Sequence, residues 1–365
     1  MQFQKSLKMS KVHNFSAGPS ILPETVLKEA SEAVINFNNL NLSLLEISHR
    51  SNDFVAVMDE ARSLVKELLN LPQGYEVVFM QGGASLGFLI SAFNFMKKDG
   101  VAAYINTGSW AGKAIKEASR LGEVRVIGSS EEKNYNYIPK GLGVPMDANY
   151  LHYTSNNTIY GTQFKKTPVV RCPLLCDMSS DIFSTHIDAS NFDLIYAGAQ
   201  KNMGPAGTTL YIVKESSLGH TKTEIPTMLD LRTHIKKESM FNTPPVFPIY
   251  VSMLTMRWIK EQGGVSEMEK RNEAKAHLLY HEIDHNPLFS CTAEPLDRSN
   301  MNATFVLNDE SLSAEFDEMW KGANINGLKG HRDVGGYRAS MYNALSIESV
   351  QVLVDLMKEL SKKRG

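Results

Sequence analysis

Seven apolar runs of four to six residues are strung along positions 76–213, with stretches of helical period lying among them. They are Glu76–Met80, Val101–Ile105, Val124–Ile127, Tyr150–Thr154, Leu174–Asp177, Asp193–Ala197 and Thr208–Val213. Runs such as Glu76-Val77-Val78-Phe79-Met80 are apolar at successive positions, so they suit strands covered on both faces. Strands alternating with helices pair mostly in parallel. The expected fold class is therefore α/β, with a large domain spanning 22–265 around a mostly parallel seven-stranded sheet. Ahead of the first strand, Pro23 is expected to open a helix with Val26, Leu27, Ala30, Ala33, Val34 and Phe37 at the 3.6 period. A second follows Asp53, with Phe54, Val57, Met58, Ala61, Leu64, Val65 and Leu68 on one face.

Near residue 265 the pattern changes. A helix over Val246–Glu261 is expected to end at Gly263-Gly264, and Ser266 with Glu269 has the spacing of a capping box for the next one. Beyond lies a smaller α+β domain, 266–365. Its expected elements are a helix to about Asp284, a strand at Ala303–Leu307 and a helix near Ala314–Lys321. A strand pair across Ile325–Leu328 and Tyr337–Tyr342 and a final helix from Ser346 complete it.

Charge narrows the partners. A net charge of −2 with 21% charged residues gives no electrostatic reason to bind nucleic acid or an anionic membrane. No apolar run approaches the ~18 residues of a membrane span. Residues 1–8 lack a signal peptide's apolar core and read as an N-terminal extension before Met9. The three cysteines, Cys172, Cys176 and Cys291, have no zinc-type spacing, so neither disulfides nor a metal is expected, and the cytoplasm is the default location.

Chemistry gathers at strand ends. Tyr196-Ala-Gly-Ala-Gln200-Lys201-Asn-Met-Gly204-Pro205 carries a lysine off an apolar strand into a loop stopped by Gly204-Pro205. A poorly solvated lysine is more easily neutral and so more nucleophilic, as imine formation with a carbonyl requires. A lysine snorkelling from a strand end is the ordinary alternative. The odds change because Asp177 ends another apolar strand, 24 residues earlier. A strand-end aspartate and lysine suit a pyridinium nitrogen partner and a Schiff-base lysine, which points to pyridoxal 5'-phosphate. Three further strand ends add to this. Gln81-Gly-Gly-Ala84-Ser85-Leu-Gly87 has the small residues that let backbone N–H groups approach a phosphate. Asn106-Thr-Gly-Ser-Trp110 offers an indole that is either core filler or a platform for a flat ring. Thr154-Ser-Asn-Asn-Thr158 offers Thr158 as a donor to a ring oxygen or phosphate. All five belong at the carboxyl ends of strands, where open α/β sheets bind ligands. Two His-Arg pairs, His49-Arg50 and His331-Arg332, with Arg338 beside Gly335-Gly336, form a candidate grip on anions, although any single arginine is more often a solvated surface group.

The motifs HNFSAGP (13–19), EISHR (46–50), YAGAQKNMGP (196–205), SMFNTPP (239–245) and KGHRDVGGYR (329–338) together resemble the phosphoserine aminotransferase family, class V members of the fold-type I pyridoxal-phosphate enzymes. The resemblance runs from about residue 12 to the end, and KGHR…GGYR is far more specific than a glycine loop. It implies Lys201 as the Schiff-base lysine, Asp177 as ring-nitrogen partner and Trp110 as ring stacker, with Thr158, Gln200, Ala84 and Ser85 as cofactor contacts. It implies Asn242 and Thr243 as phosphate ligands supplied by the neighbouring subunit of a homodimer. Arg50 and Arg338 would bind the substrate carboxylate, with His49, His331 and Arg332 around the substrate phosphate. Residues 9–21 would join the small domain. Two departures stand out: some relatives have a GGGRG-type turn where this chain has Gly-Gly-Ala-Ser-Leu-Gly, and some have serine at Ala17.

The activity implied is reversible amino transfer from L-glutamate to 3-phosphohydroxypyruvate, in serine supply, and the family also admits the related hydroxythreonine phosphate of pyridoxine synthesis. Another class V enzyme, such as a small-amino-acid:glyoxylate aminotransferase, competes with this reading, but two His-Arg pairs favour a phosphorylated substrate. A cysteine desulfurase needs a reactive thiol, and Cys291 lacks cationic or glycine-rich sequence neighbours. A cofactor-binding module without turnover would need neither Lys201 nor Asp177.

Overall fold

The computed structural model describes residues 11–222 and 224–364, so the expected extension at 1–8 lies outside the described residues. All seven apolar runs form one seven-stranded sheet. In chain order its strands are β1 (Tyr75–Met80), β2 (Val101–Asn106), β3 (Glu123–Ser129), β4 (Ala148–Thr154), β5 (Leu174–Asp177), β6 (Leu194–Gly198) and β7 (Thr209–Lys214). Their spatial order is β1-β7-β6-β5-β4-β2-β3, and only β7 runs antiparallel to its neighbours. The other six strands point the same way, so the loops leaving them share one edge.

Strand side chains alternate between faces, and each face has its own apolar layer. Val77, Phe79, Ile105, Leu151, Ile195 and Ile212 pack with the helices Glu24–Ile35, Asn52–Leu68 and Val246–Glu261. Val78, Met80, Tyr104, Tyr150, Tyr196 and Tyr211 pack beneath Gly83–Phe95 and Ser109–Ala118. A third cluster, including Phe15, Leu279, Phe305, Phe316, Ile325, Tyr337 and Leu353, forms the core of the C-terminal unit.

Several local expectations are corrected. Ser266 and Glu269 form no capping box: the helix Gly264–His285 starts after Gly263, a left-handed residue with φ 103°, and has no side-chain cap. Glu269 instead accepts from Thr185 Oγ1 and the His186 N–H, because those donors lie against this helix face. The segments expected to pair as strands part company. Ile325–Asn326 pairs in parallel with His13–Asn14, and Tyr337–Ser340 pairs with Asn302–Leu307. Between the two segments there is no strand ladder among the described residues, only an isolated bridge at Lys329–Tyr337 beside the Arg338 N–H bond to Leu328 O at 2.7 Å. A three-residue strand, Phe289–Cys291, was not anticipated and pairs with Asn302–Leu307.

Buried asparagines stitch the C-terminal unit to the sheet. Asn272 Nδ2 donates to Asn343 Oδ1 at 2.8 Å, and the Asn343 N–H donates to Asn202 Oδ1 at 2.9 Å. Asn156 Nδ2 donates to Asn302 Oδ1 at 2.8 Å. Each lies within the protein away from water, so each bond replaces a solvent bond lost on folding.

Candidate active site

The shared strand edge opens onto a cavity of about 320 Å³. The loop after β1 brings Gly83, Ala84 and Ser85 to it, that after β2 brings Trp110, and that after β4 brings Asn156 and Thr158. Asp177 arrives at the end of β5, and Gln200 and Lys201 after β6. His331 and Arg338 close it from the C-terminal unit, and Ala17 and Gly18 from the N-terminal segment. That segment bridges both units: the Phe15 N–H bonds Asn326 O at 2.8 Å, while the Ser20 N–H bonds Gln200 O at 3.0 Å.

Lys201 Nζ donates to Thr158 Oγ1 at 2.8 Å and lies 5.9 Å from the Trp110 ring centroid. The residue is partly accessible through the cavity, but protein crowds its ammonium. Desolvation outweighs the opposing charge of Asp177, and with Arg338 also repelling the cation the pKa falls to about 8. Asp177 is buried, and desolvation raises its pKa against hydrogen bonds from Ser179 and the charge of Lys201. The Ser179 N–H reaches Asp177 Oδ1 at 2.9 Å. Arg338 Nη1 donates to the Thr158 carbonyl at 3.3 Å, while its Nε is buried without a partner. Trp110 Nε1 and Thr154 Oγ1 are also buried and unpartnered.

The helix Gly83–Phe95 opens into the cavity with no side-chain cap, because Gly82 at φ 103° supplies the turn. Its free N–H groups and positive dipole end favour a phosphate. With an indole face, a buried carboxylate and a desolvated lysine, the donor set matches a flat cationic ring bearing a phosphate arm.

The structure therefore brings Ala84, Ser85, Trp110, Thr158, Asp177, Gln200, Lys201, His331 and Arg338 together, and leaves five expected residues outside the cavity lining. Arg332 is exposed and approaches Asp333 at 3.7 Å. Arg50, Asn242 and Thr243 are exposed, and His49 is half-buried with its Nε2 unpartnered. Thr243 O accepts from Gln81 Nε2 at 2.6 Å, next to the glycine turn.

Asp181 was missed. It is buried four residues beyond Asp177, accepts from Ser155 Oγ and from Gln163 Nε2 at 3.2 Å, and desolvation lifts its pKa to about 6. A second carboxylate one helical turn from the first was the available signal. The thiols also need a correction: Cys291, expected to lack cationic neighbours, has Arg298 beside it. Burial still wins there, and all three thiols are pushed up, which works against a nucleophilic thiolate.

The class-V aminotransferase family model matches residues 12–353. The phosphoserine aminotransferase of Flavobacterium psychrophilum is 64% identical over 97% of this chain and 99% of its own. The solved phosphoserine aminotransferase of Bacillus circulans subsp. alkalophilus is 43% identical, with TM-score 0.94 over 97% of this chain and 99% of that one. That of Trichomonas vaginalis, solved with pyridoxal phosphate bound, is 35% identical, with TM-score 0.91 over 95% of this chain and 100% of that one. No described helix is long and apolar enough to cross a membrane. By residue identity and fold together, the chain belongs to the class-V aminotransferase family, among the phosphoserine aminotransferases.

Proposed function

We propose that the protein transfers the amino group of L-glutamate reversibly to 3-phosphohydroxypyruvate, giving 2-oxoglutarate and O-phospho-L-serine, with pyridoxal 5'-phosphate held in the strand-edge cavity. The observation that carries this is one cavity containing a lysine of pKa about 8, a buried aspartate and an inward arginine. Pyridoxal phosphate, when bound, supplies an electron-accepting ring for the pair released as the substrate Cα–H bond breaks. Lys201 Nζ takes the Cα proton of the amino donor and returns one to the acceptor, and a pKa near working pH suits both directions. Thr158 Oγ1, 2.8 Å away, holds that amine in place. Asp177 keeps the ring nitrogen protonated, Trp110 covers the ring face, and Ala84 and Ser85 offer N–H groups to the phosphate. Gln200 and Thr158 border the ring.

Arg338 takes the substrate carboxylate. His331 and Arg332, with His49 and Arg50, take the distal anion, which both amino donor and phosphorylated acceptor carry. Asn242, Thr243, His49 and Arg50 reach the cavity of a second copy, so the working unit is a homodimer. Support comes from their position outside their own cavity and from the apolar side chains nearby in sequence: Leu27 is 50% exposed, Ile35 80% and Leu45 62%. The separate apolar clusters support two domains, 22–265 and 9–21 with 266–365. The free thiols are in keeping with a cytoplasmic location.

The test is turnover of glutamate with 3-phosphohydroxypyruvate beside pyruvate and glyoxylate, with the hydroxythreonine phosphate product as a second donor. Strong preference for the phosphorylated acceptor is expected; turnover with pyruvate or glyoxylate alone would refute the substrate assignment. Lys201→Ala should abolish turnover. Arg338→Ala should raise KM by roughly 10- to 150-fold, the worth of a lost charged hydrogen bond of about 1.5–3 kcal/mol.

A further inference from the structure

The helix Gly264–His285 carries His277, His281 and His285 at four-residue intervals, all exposed on one stripe and away from the cavity. Side chains four apart on a helix are surface neighbours. Here they meet as rings: His281 and His285 stack with centroids 4.3 Å apart and planes at 23°, while His277 and His281 stand 6.1 Å apart at 33°.

We propose that His281 and His285 form a binding site for a divalent late first-row metal ion, of the Cu(II), Ni(II) and Zn(II) class. The protonation of one ring is already set. His285 Nδ1 lies 2.8 Å from the His281 carbonyl oxygen, which can only accept, so Nδ1 carries the proton. The Nε2 lone pair is thereby left for a metal, and a ligating histidine that donates its other N–H to a carbonyl is the common second-shell arrangement at metal sites. Both rings lie on the final turn and a half of the helix, where the negative end of the dipole favours a cation.

With His285 kept on its carbonyl bond, rotation of the exposed His281 ring is what brings a second nitrogen to the usual bond length of about 2.0–2.1 Å. Imidazole ligands favour these ions over magnesium or calcium, which prefer oxygen. Asp284 lies between the two histidines in sequence but does not join them, because both its oxygens are taken by Arg298 at 2.7 and 2.8 Å. Among the described residues no three metal-ligating side chains converge, so water completes the coordination sphere.

The site is remote from the chemistry. Neither histidine lines the cavity, and Lys275, which bonds at the junction beside it, precedes His281 by six residues and His285 by ten, about 9 and 15 Å at the helical rise. Ion binding should therefore stabilise the fold by linkage and leave turnover unchanged.

The experiment titrates untagged holoenzyme with Cu(II), Ni(II) and Zn(II) separately by calorimetry, with Mg(II) as control, and records the paramagnetic resonance spectrum with one equivalent of Cu(II). One saturable ion per chain is expected, with coupling to two nitrogens and no response to Mg(II). His281→Ala and His285→Ala should each weaken binding roughly a hundredfold, because a chelate becomes a single ligand. His277→Ala should bind like the parent. Alanine is the best helix former, so these exposed changes leave the fold intact. No saturable site, unchanged affinity in the His281 and His285 variants, or an equal loss in His277→Ala would each overturn the assignment.

Discussion

Gly87 belongs to the run Gln81–Gly87, yet only its first part forms the turn; Gly87 lies inside the helix Gly83–Phe95. A Cβ there would stand 2.6 Å from Tyr196 Cδ2 and 2.9 Å from Cε2. Relief to ordinary contact requires a shift of about 0.8 Å. The ring cannot supply it. Tyr196 is fully buried, its hydroxyl is 2.8 Å from His152 Nε2, and it packs against Phe88 and Tyr211. The helix must move instead, and it carries Gly83, Ala84 and Ser85 with it.

Gly87→Ala thus sets two effects against each other. Overpacking costs about 1–3 kcal/mol, and replacing a helical glycine by alanine returns roughly 0.8–1 kcal/mol. The expected net is a destabilisation of about 0–2 kcal/mol. The sharper signal is at the cavity, where N–H groups displaced by most of an ångström lose charge-assisted bonds worth about 1.5–3 kcal/mol each. Cofactor affinity should fall at least tenfold or so by that measure. Gly112→Ala, in the helix Ser109–Ala118 with nothing within 4 Å of the new methyl, should show the helix gain alone. Denaturant unfolding and cofactor titration of both variants make the comparison. If Gly87→Ala is stabilised like Gly112→Ala and keeps its cofactor affinity, the helix does not rest on Tyr196 and the reasoning fails.

Lys275 is almost wholly buried, donates to Met341 O and Tyr342 O, and has its pKa lowered from 10.5 to about 7 by desolvation, with Arg271 adding to the fall. Between pH 7 and 10.5 the unfolded chain binds the extra proton, so this group makes stability rise with pH across that window, by at most about 1.4 kcal/mol per pH unit. Lys275→Met should flatten that rise in denaturation curves; an unchanged slope would refute it. Ile35→Glu places a charge on the most exposed apolar position of the helix Glu24–Ile35, and sedimentation should show monomers with little turnover. A fully active dimer would remove this surface from the interface.

What the sequence made legible is what repeats or punctuates. β5 matched its expected limits because an apolar run closed by Asp177 has few other ways to fold, and β1 differed by one residue at Tyr75. Lys201 and Asp177 could be singled out because Asp177 closes an apolar strand and Lys201 follows another by three residues, in the loop after Gly198. The failures share a cause too. Ser266 and Glu269 satisfied a local capping pattern, but Thr185, 84 residues from Glu269, competed for the carboxylate and won. His13–Asn14 and Ile325–Asn326 are two-residue strands, too short to leave a period, and they find each other across almost the whole chain.

The same logic explains why the lysine's loop was easier to find than to understand. Lys201 is placed by its neighbours on both sides. Ser20 bonds the carbonyls of Gln200 and Lys201 through its N–H and Oγ, respectively. Asn202 accepts from the Asn343 N–H, and Asn343 is held in turn by Asn272. On the far side of the cavity, Tyr342 donates to Ala17 O at 2.7 Å, and Lys275 holds the Tyr342 carbonyl. Asn272 and Lys275 fall on the buried stripe of their helix, where the period leads one to expect apolar residues, and the bonded partners lie 66 to 325 positions apart, so no local window reveals the bonds. Their common effect is to fix the C-terminal unit against the loop after β6 through buried hydrogen bonds, which lose most when a single partner is removed. A desolvated lysine keeps a useful pKa only while its distances to Asp177, Arg338 and Thr158 are held. Under the proposed mechanism the asparagine junction therefore helps to hold the surroundings that lower the Lys201 pKa, although it touches none of the reacting atoms.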